Sequence, residues 1–120
     1  MTKEILVYVE DDNILREVIE DELNEYYDAK VFVNPLEAAT FIKENAGSVK
    51  VLLTDFVMPE LNGLELIKQT KQMSTAIKCI LLTGYCKSIG SDDEMDVADL
   101  VLEKNILHSI EELVEKIKAL

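Results

Sequence analysis

Five short apolar runs punctuate the chain, at residues 5–9, 31–33, 51–54, 79–83 and, more weakly, 100–102. They are continuous rather than alternating, as in strands buried on both faces of a sheet. Helical patterns lie between them. Ile14, Leu15, Val18, Ile19, Leu23 and Tyr26 follow a 3.6-residue period, and so do Ile106, Leu107, Ile110, Leu113, Val114 and Ile117. Asn34-Pro35-Leu36-Glu37 marks a helix start, with an Asn cap, proline at the first helical position and glutamate at the third. Ser109-Ile110-Glu111-Glu112 is a second capping box, with a start near Asn105 as the alternative. A further helix is predicted from about Leu61 to Met73, with Leu64 and Ile67 inward. The stretch between Thr83 and Leu100 is the poorest helix. Only Ile89, Met95, Val97 and Ala98 suit burial there and Gly90 weakens its middle, so a short, frayed or mobile helix is expected. Strand and helix alternate five times, which predicts one α/β domain over residues 1–120, built on a parallel sheet with helices on both faces.

Composition narrows the functions open to such a domain. The 13.6 kDa chain holds 48% hydrophobic residues, enough for one core, and its 30% of charged residues excludes a disordered tail or a membrane protein. No uncharged apolar run approaches the roughly 18–20 residues of a spanning helix. Met1-Thr2-Lys3-Glu4 leads into a strand rather than a signal peptide, and a cytoplasmic location is expected. Lys and Arg total 12 against 24 Asp and Glu, leaving a net charge of −12 and a pI near 4.4. That is the wrong sign for direct binding to nucleic acid or to an anionic membrane. Proteins, cations and small phosphorylated molecules remain as partners. Cys79 and Cys86 form no metal motif and read as a reduced cytosolic pair, with Cys79 in the core. His108, the single histidine, builds no metal cluster by itself.

In an open parallel sheet the ligand site lies at the carboxyl ends of the strands. Glu10, Asp11 and Asp12 follow the first strand, Asp55 follows the third, Thr83 ends the fourth and Lys104 follows the fifth. Taken singly, each has an ordinary reading: solvated helix caps, a turn-capping Asp, a β-favouring Thr, a surface Lys. Together on one edge they would require four coincidences. Glu10, Asp11 and Asp55 carry −3, and a divalent cation plus Lys104 supply +3. Hard oxygen ligands with open positions for water suit Mg²⁺. A metal-held carboxylate facing a hydroxyl and an ammonium can act as nucleophile in phosphoryl transfer, with the metal, Lys104 and Thr83 stabilising the phosphoryl oxygens.

Over essentially its whole length the chain resembles the receiver (response-regulator) domains of two-component signalling. The resemblance rests on Ile5-Leu6-Val7-Tyr8-Val9-Glu10-Asp11-Asp12, on Leu52-Leu53-Thr54-Asp55-Phe56-Val57-Met58-Pro59 with Asn62-Gly63, on Leu81-Leu82-Thr83-Gly84 and on Glu103-Lys104, in that order and spacing. It implies a flavodoxin-like receiver fold, a five-stranded parallel sheet in the order 2-1-3-4-5. It also implies that Asp55 is the phosphoacceptor, taking a phosphoryl group from a histidine kinase or histidine phosphotransfer protein. Asp11, Asp55 and the backbone carbonyl of Val57 would bind Mg²⁺ directly, and Glu10 through water. Thr83 would bind a phosphoryl oxygen and shift on activation. Lys104 would pair with Asp55 and then with the phosphate, and the segment from Pro59 to Gly63 would shape the loop after the acceptor. Signalling would pass to a downstream protein of unspecified identity, and no output domain fits in the chain. The protein would catalyse only its own phosphorylation and dephosphorylation.

Several positions depart from that family. Asn105 stands where a proline, often in a cis peptide, is usual, and a cis bond to a non-proline residue costs roughly 2.5–4 kcal/mol. A trans Lys104–Asn105 bond, with some displacement of the Lys104 amine, is therefore expected. Val101 occupies the usual place of a switching aromatic, Val97 that of a common glycine, and the stretch from Thr83 to Lys104 is about a residue short. Tyr85 and Val57 would either flank the path of an attacking water or be simple loop residues. Asp92, Asp93, Glu94 and Asp96 read as a solvated face. Two other readings stay open. A phosphate-independent interaction module on the same fold accommodates Val101 and Asn105. An aspartyl-phosphate hydrolase of the haloacid-dehalogenase type would need a second Asp two residues after the nucleophile, where this chain has Val57.

Overall fold

A computed structural model describes residues 3–56, 60–84 and 97–120. Five strands, β1 (Ile5–Val9), β2 (Asp28–Phe32), β3 (Val49–Asp55), β4 (Lys78–Thr83) and β5 (Leu100–Glu103), form one parallel sheet in the order β2-β1-β3-β4-β5. The α-helices among the described residues are α1 (Asn13–Leu23), α2 (Pro35–Glu44), α3 (Gly63–Met73) and α4 (Ile110–Lys118), with a 3-10 turn over Lys104–His108 before α4. This is the flavodoxin-like order expected from the sequence. Each α-helix begins at a side-chain cap. Asp12, Asn34, Asn62 and Ser109 accept from the backbone N–H of Leu15, Leu36, Glu65 and Glu112, satisfying donors that the first turn leaves orphaned. Near the C-terminus the capping box at Ser109 marks the start of α4, and the earlier start near Asn105 is not taken: residues 104–108 form a separate 3-10 turn.

Side chains alternate across the sheet and feed two apolar layers. Leu6, Tyr8, Leu53, Ile80 and Leu82 share one with Ile19 and Leu23 of α1 and Leu113, Val114 and Ile117 of α4. Val7, Val9, Leu52, Cys79 and Leu81 share the other with Ala38 and Ile42 of α2 and Leu64 and Ile67 of α3. Val97, Ala98 and Val101 pack partly buried against this second layer. Burial pushes the Cys79 thiol up to about 12, nearby Lys71 opposes this and Asp99 adds to it, so the side chain is a core group rather than a reactive one.

Three expectations need correction. The second strand spans Asp28–Phe32 rather than 31–33. It lies at the sheet edge, where half-exposed positions such as Lys30 are tolerated and a continuous apolar run is not required. The helix expected from about Leu61 begins at Gly63, because Asn62 rather than an earlier residue supplies the cap. The period on α1 includes Ile14 and Val18, yet these are 78% and 52% exposed, so the apolar stripe is wider than the face the sheet covers. The weak helix expected between Thr83 and Leu100, with Tyr85, Cys86 and the acidic residues 92–96, falls mainly outside the described residues.

The approach to β5 is held by one ion pair that the sequence does not announce. Asp99 Oδ2 accepts from Lys71 Nζ at 2.6 Å and from the Cys79 N–H at 2.8 Å, while the Asp99 N–H donates to the Cys79 carbonyl at 2.8 Å. Lys71 also donates to the Ile77 carbonyl. Partial burial pushes the Asp99 carboxyl up, but the Lys71 and Cys79 bonds outweigh it and hold the group below its ordinary value of 3.8. A lowered pKa means that the ionised form favours the fold. Its stabilisation is present above pH 3.8 and disappears as pH falls through the folded-state value. Asp99→Asn should therefore be less stable than the parent at neutral pH, with the gap closing as the pH falls below 3.8 and through the lowered folded-state value. Urea denaturation across that range measures it; a gap that does not depend on pH would contradict the assignment.

Candidate functional site

The strand register sets the site. Val9 aligns with Thr54, Asp55 with Leu82, and Thr83 with Glu103, so the residues that end or follow these strands meet at one edge. Glu10 is completely buried, Asp55 is 7% exposed, and Asp11 is open to solvent. Each offers a carboxylate oxygen, and these oxygens all lie within 4.8 Å of one another. Lys104 closes the cluster. Its Nζ lies 2.9 Å from Asp55 Oδ2, 3.0 Å from Glu10 Oε1 and 3.2 Å from Glu10 Oε2. Asp55 Oδ1 accepts from the Phe56 N–H at 2.9 Å, which fixes the carboxylate plane. Thr83 is buried at the end of β4, one residue beyond the partner of Asp55.

The electrostatics follow from burial. Desolvation raises the Glu10 pKa above its ordinary value, the Lys104 ammonium and the Asp12 N–H pull it down, and the Asp55 charge pushes it up again. Burial acts to lower the Lys104 pKa, but Asp55 and Glu10 outweigh it and the net shift is upward, so the amine stays protonated. Two of the three acidic groups, Glu10 and Asp55, share one ammonium and Asp11 lies beside them, which gathers hard oxygen donors in excess of the positive charge. That donor set fits a small divalent cation such as Mg²⁺. Asp12 does not face the pocket; its side chain caps α1 and its N–H bonds Glu10 Oε2 at 3.2 Å. Val57 lies outside the described residues.

Two details were legible only in part. No cis peptide occurs among the described residues, so the Lys104–Asn105 bond is trans as expected. The amine lies within direct hydrogen-bond distance of Asp55 Oδ2, at 2.9 Å. The sequence pattern marks Tyr8 only as a strand residue, yet its hydroxyl lies 3.3 Å from Glu10 Oε1. Burial, reinforced by Glu10 and Asp55, raises the Tyr8 pKa far above its ordinary value, so it is a protonated donor. The spacing of two along a strand was the available signal.

Gly63 holds the other side of the acceptor. Its N–H donates to the Phe56 carbonyl at 2.9 Å, and a Cβ at this position would lie 2.3 Å from the Asp55 carbonyl oxygen and 2.8 Å from Leu81 Cδ1. The first contact is with backbone and cannot be relieved by a rotamer change. Gly63→Ala should cost about 1–3 kcal/mol through overpacking. It should also slow any reaction at Asp55, and chemical denaturation beside a phosphorylation time course would check both. An alanine variant as stable and as fast as the parent would contradict this packing.

The chain is similar to known proteins of one family. The Brucella abortus response regulator receiver protein CpdR is 32% identical over 81 residues, covering 67% of this chain and 66% of CpdR. The Helicobacter pylori chemotaxis protein CheY1 is 37% identical over 71 residues, covering 58% of this chain and 56% of CheY1. The matched stretch thus spans a little over half to about two thirds of these relatives' lengths. The Thermotoga maritima response regulator TrrA, solved in complex with Mg²⁺-BeF, superposes with a TM-score of 0.77 at 29% identity, covering 95% of this chain and 98% of TrrA. The family described as response regulator receiver domain matches residues 5–118, and the chain belongs to that family.

Proposed function

We propose that this receiver domain is a phosphorylation-dependent switch that takes a phosphoryl group on Asp55 from a histidine kinase or histidine phosphotransfer protein, with Mg²⁺, and signals through protein contacts. Membership of the family places the chain in phosphorylation-based two-component signalling. The observation that carries the finer reading is the Lys104 ammonium bridging buried Asp55 and Glu10 beside the exposed Asp11 carboxylate. Asp11, Asp55 and the Val57 carbonyl would hold the cation directly, and Glu10 through water. When bound, it would neutralise the carboxylates and the developing charge on the phosphoryl oxygens.

The chain's own residues do the rest. An Asp55 carboxylate oxygen attacks the phosphorus of the phosphohistidine; the new O–P bond makes an acyl phosphate as the P–N bond breaks, and the electron pair leaves with the imidazole. The Phe56 N–H holds the other carboxylate oxygen in place. Lys104, paired with Asp55 at rest, transfers its contact to a phosphoryl oxygen, and the Thr83 hydroxyl donates to another. Hydrolysis by water reverses the state, so catalysis is confined to the domain's own phosphorylation and dephosphorylation.

Docking of a protein donor is supported by the apolar groove next to Lys104. Leu15, Val18 and Ile19 of α1 face Asn105, Leu107 and His108 across a cleft of about 560 Å³, with Ile14 and Val18 exposed nearby. The net charge of −12 disfavours direct nucleic-acid binding. No helix among the described residues is long and apolar enough to cross a membrane, and the domain is proposed to act in the cytoplasm as a single folded unit.

The test is intact-mass spectrometry after incubation with Mg²⁺ and a small-molecule phosphodonor, repeated with a chelator and with a panel of histidine-kinase donors. A gain of one phosphoryl group that requires Mg²⁺ is the expected result. No gain from either class of donor would overturn the reading in favour of a phosphate-independent interaction module, which Val101 and Asn105 would also suit.

A further inference from the structure

Tyr8 carries a hydroxyl that its packing does not need. The residue is fully buried in β1, in the apolar layer with Leu6, Leu53, Leu82 and Ile19, where a phenylalanine ring would fill the same space. Burying a hydroxyl without a partner costs free energy, so its retention in such a layer calls for an acceptor. The partner is Glu10, two residues on and just past the end of β1, at 3.3 Å from hydroxyl to Oε1. Among the described residues, the other donors to the Glu10 side chain are Lys104 Nζ and the Asp12 N–H. Lys104 is shared with Asp55. In the mechanism above it moves to the phosphoryl group, and Glu10 then keeps only donors fixed to its own strand and the turn that follows.

We infer that the Tyr8 hydroxyl is a positioning group for the cation site, holding the Glu10 carboxylate from the core side in the orientation that a water-mediated contact to Mg²⁺ requires. The inference rests on the Mg²⁺ reading given above. Tyr8 touches neither the cation nor the acceptor; it acts through Glu10.

Calorimetric titration with Mg²⁺ of the unphosphorylated protein tests this in four forms: wild type, Tyr8→Phe, Glu10→Gln and the double variant. Tyr8→Phe should bind Mg²⁺ about tenfold more weakly, the lower end of what loss of a supporting hydrogen bond costs a metal site. In the Glu10→Gln background the same change should have no further effect, because the group it positions is gone. Binding by Tyr8→Phe within about twofold of wild type would overturn the inference. So would an equal loss in both backgrounds, which would mark a general packing defect. If wild type takes up no Mg²⁺, the cation site itself fails and the inference with it, a result distinct from the other two.

Discussion

Asp55→Asn should take up no phosphoryl group from any donor, and it should lose most of the stabilisation that Mg²⁺ confers. The first effect is chemical. The amide oxygen is a far weaker nucleophile than a carboxylate, and neither neighbouring acid replaces it: Glu10, also buried and paired with Lys104, has both oxygens engaged by Lys104, Tyr8 and the Asp12 N–H, and Asp11 is open to solvent. The second effect is linkage. A cation that binds only the folded state stabilises it by about 2.7 kcal/mol when present at about 100 times its Kd. For a domain of this size that is a rise in Tm of roughly 10 °C. Replacing Asp55 removes one of three negative charges from the site, and the rise should shrink to a small fraction. Intact mass and thermal unfolding with and without Mg²⁺ read the two effects separately. Phosphorylation persisting in the variant would move the acceptor elsewhere.

Lys104→Met should slow phosphorylation by about 10²–10³-fold, the usual cost of losing one preorganised donor to a developing oxyanion. Methionine keeps much of the apolar stem, so lost packing contributes little. The same change should destabilise the metal-free protein. Removing one partner of a buried ion pair costs about 3–5 kcal/mol because the other charge is stranded. Here the Lys104 side chain is 30% exposed and water can partly replace it, so about 2 kcal/mol is expected. Saturating Mg²⁺ should restore most of that loss, since a divalent cation satisfies the same carboxylates. Denaturant midpoints in chelator and in Mg²⁺ make the comparison. An unchanged midpoint in chelator would mean that Glu10 and Asp55 do not depend on the ammonium.

The site was legible in the sequence because strand ends can be found from apolar runs, and the ends of parallel strands lie on one edge. The runs at residues 5–9 and 79–83 are unbroken, so they place Glu10 and Thr83 at strand ends. The edge strand Asp28–Phe32 was harder. One flank of it meets solvent, and its first three residues carry no continuous apolar signal. Ile14 and Val18 misled in the opposite sense. A helical period reports every apolar position, whereas the sheet covers only part of that face. The reach of Tyr8 to Glu10 and the Lys71–Asp99 pair depend on side-chain length and direction across elements, which a linear pattern does not carry.

The sequence by itself therefore determined the alternation of strands and helices, the caps at Asn34 and Ser109, and the gathering of Glu10, Asp11, Asp55, Thr83 and Lys104 at one edge. Local hydrogen bonding and the burial of period-two and period-3.6 patterns act over a few residues, and that is the range a pattern records. Only the tertiary structure decided that Lys104, 94 residues from Glu10 and 49 from Asp55, brings its amine between the two carboxylates. It also decided that Gly63 has no room for a Cβ against the Asp55 carbonyl, and that a core tyrosine bonds a buried acid. These contacts join segments far apart along the chain, and their ångström-scale distances come from how the two apolar layers pack against the sheet.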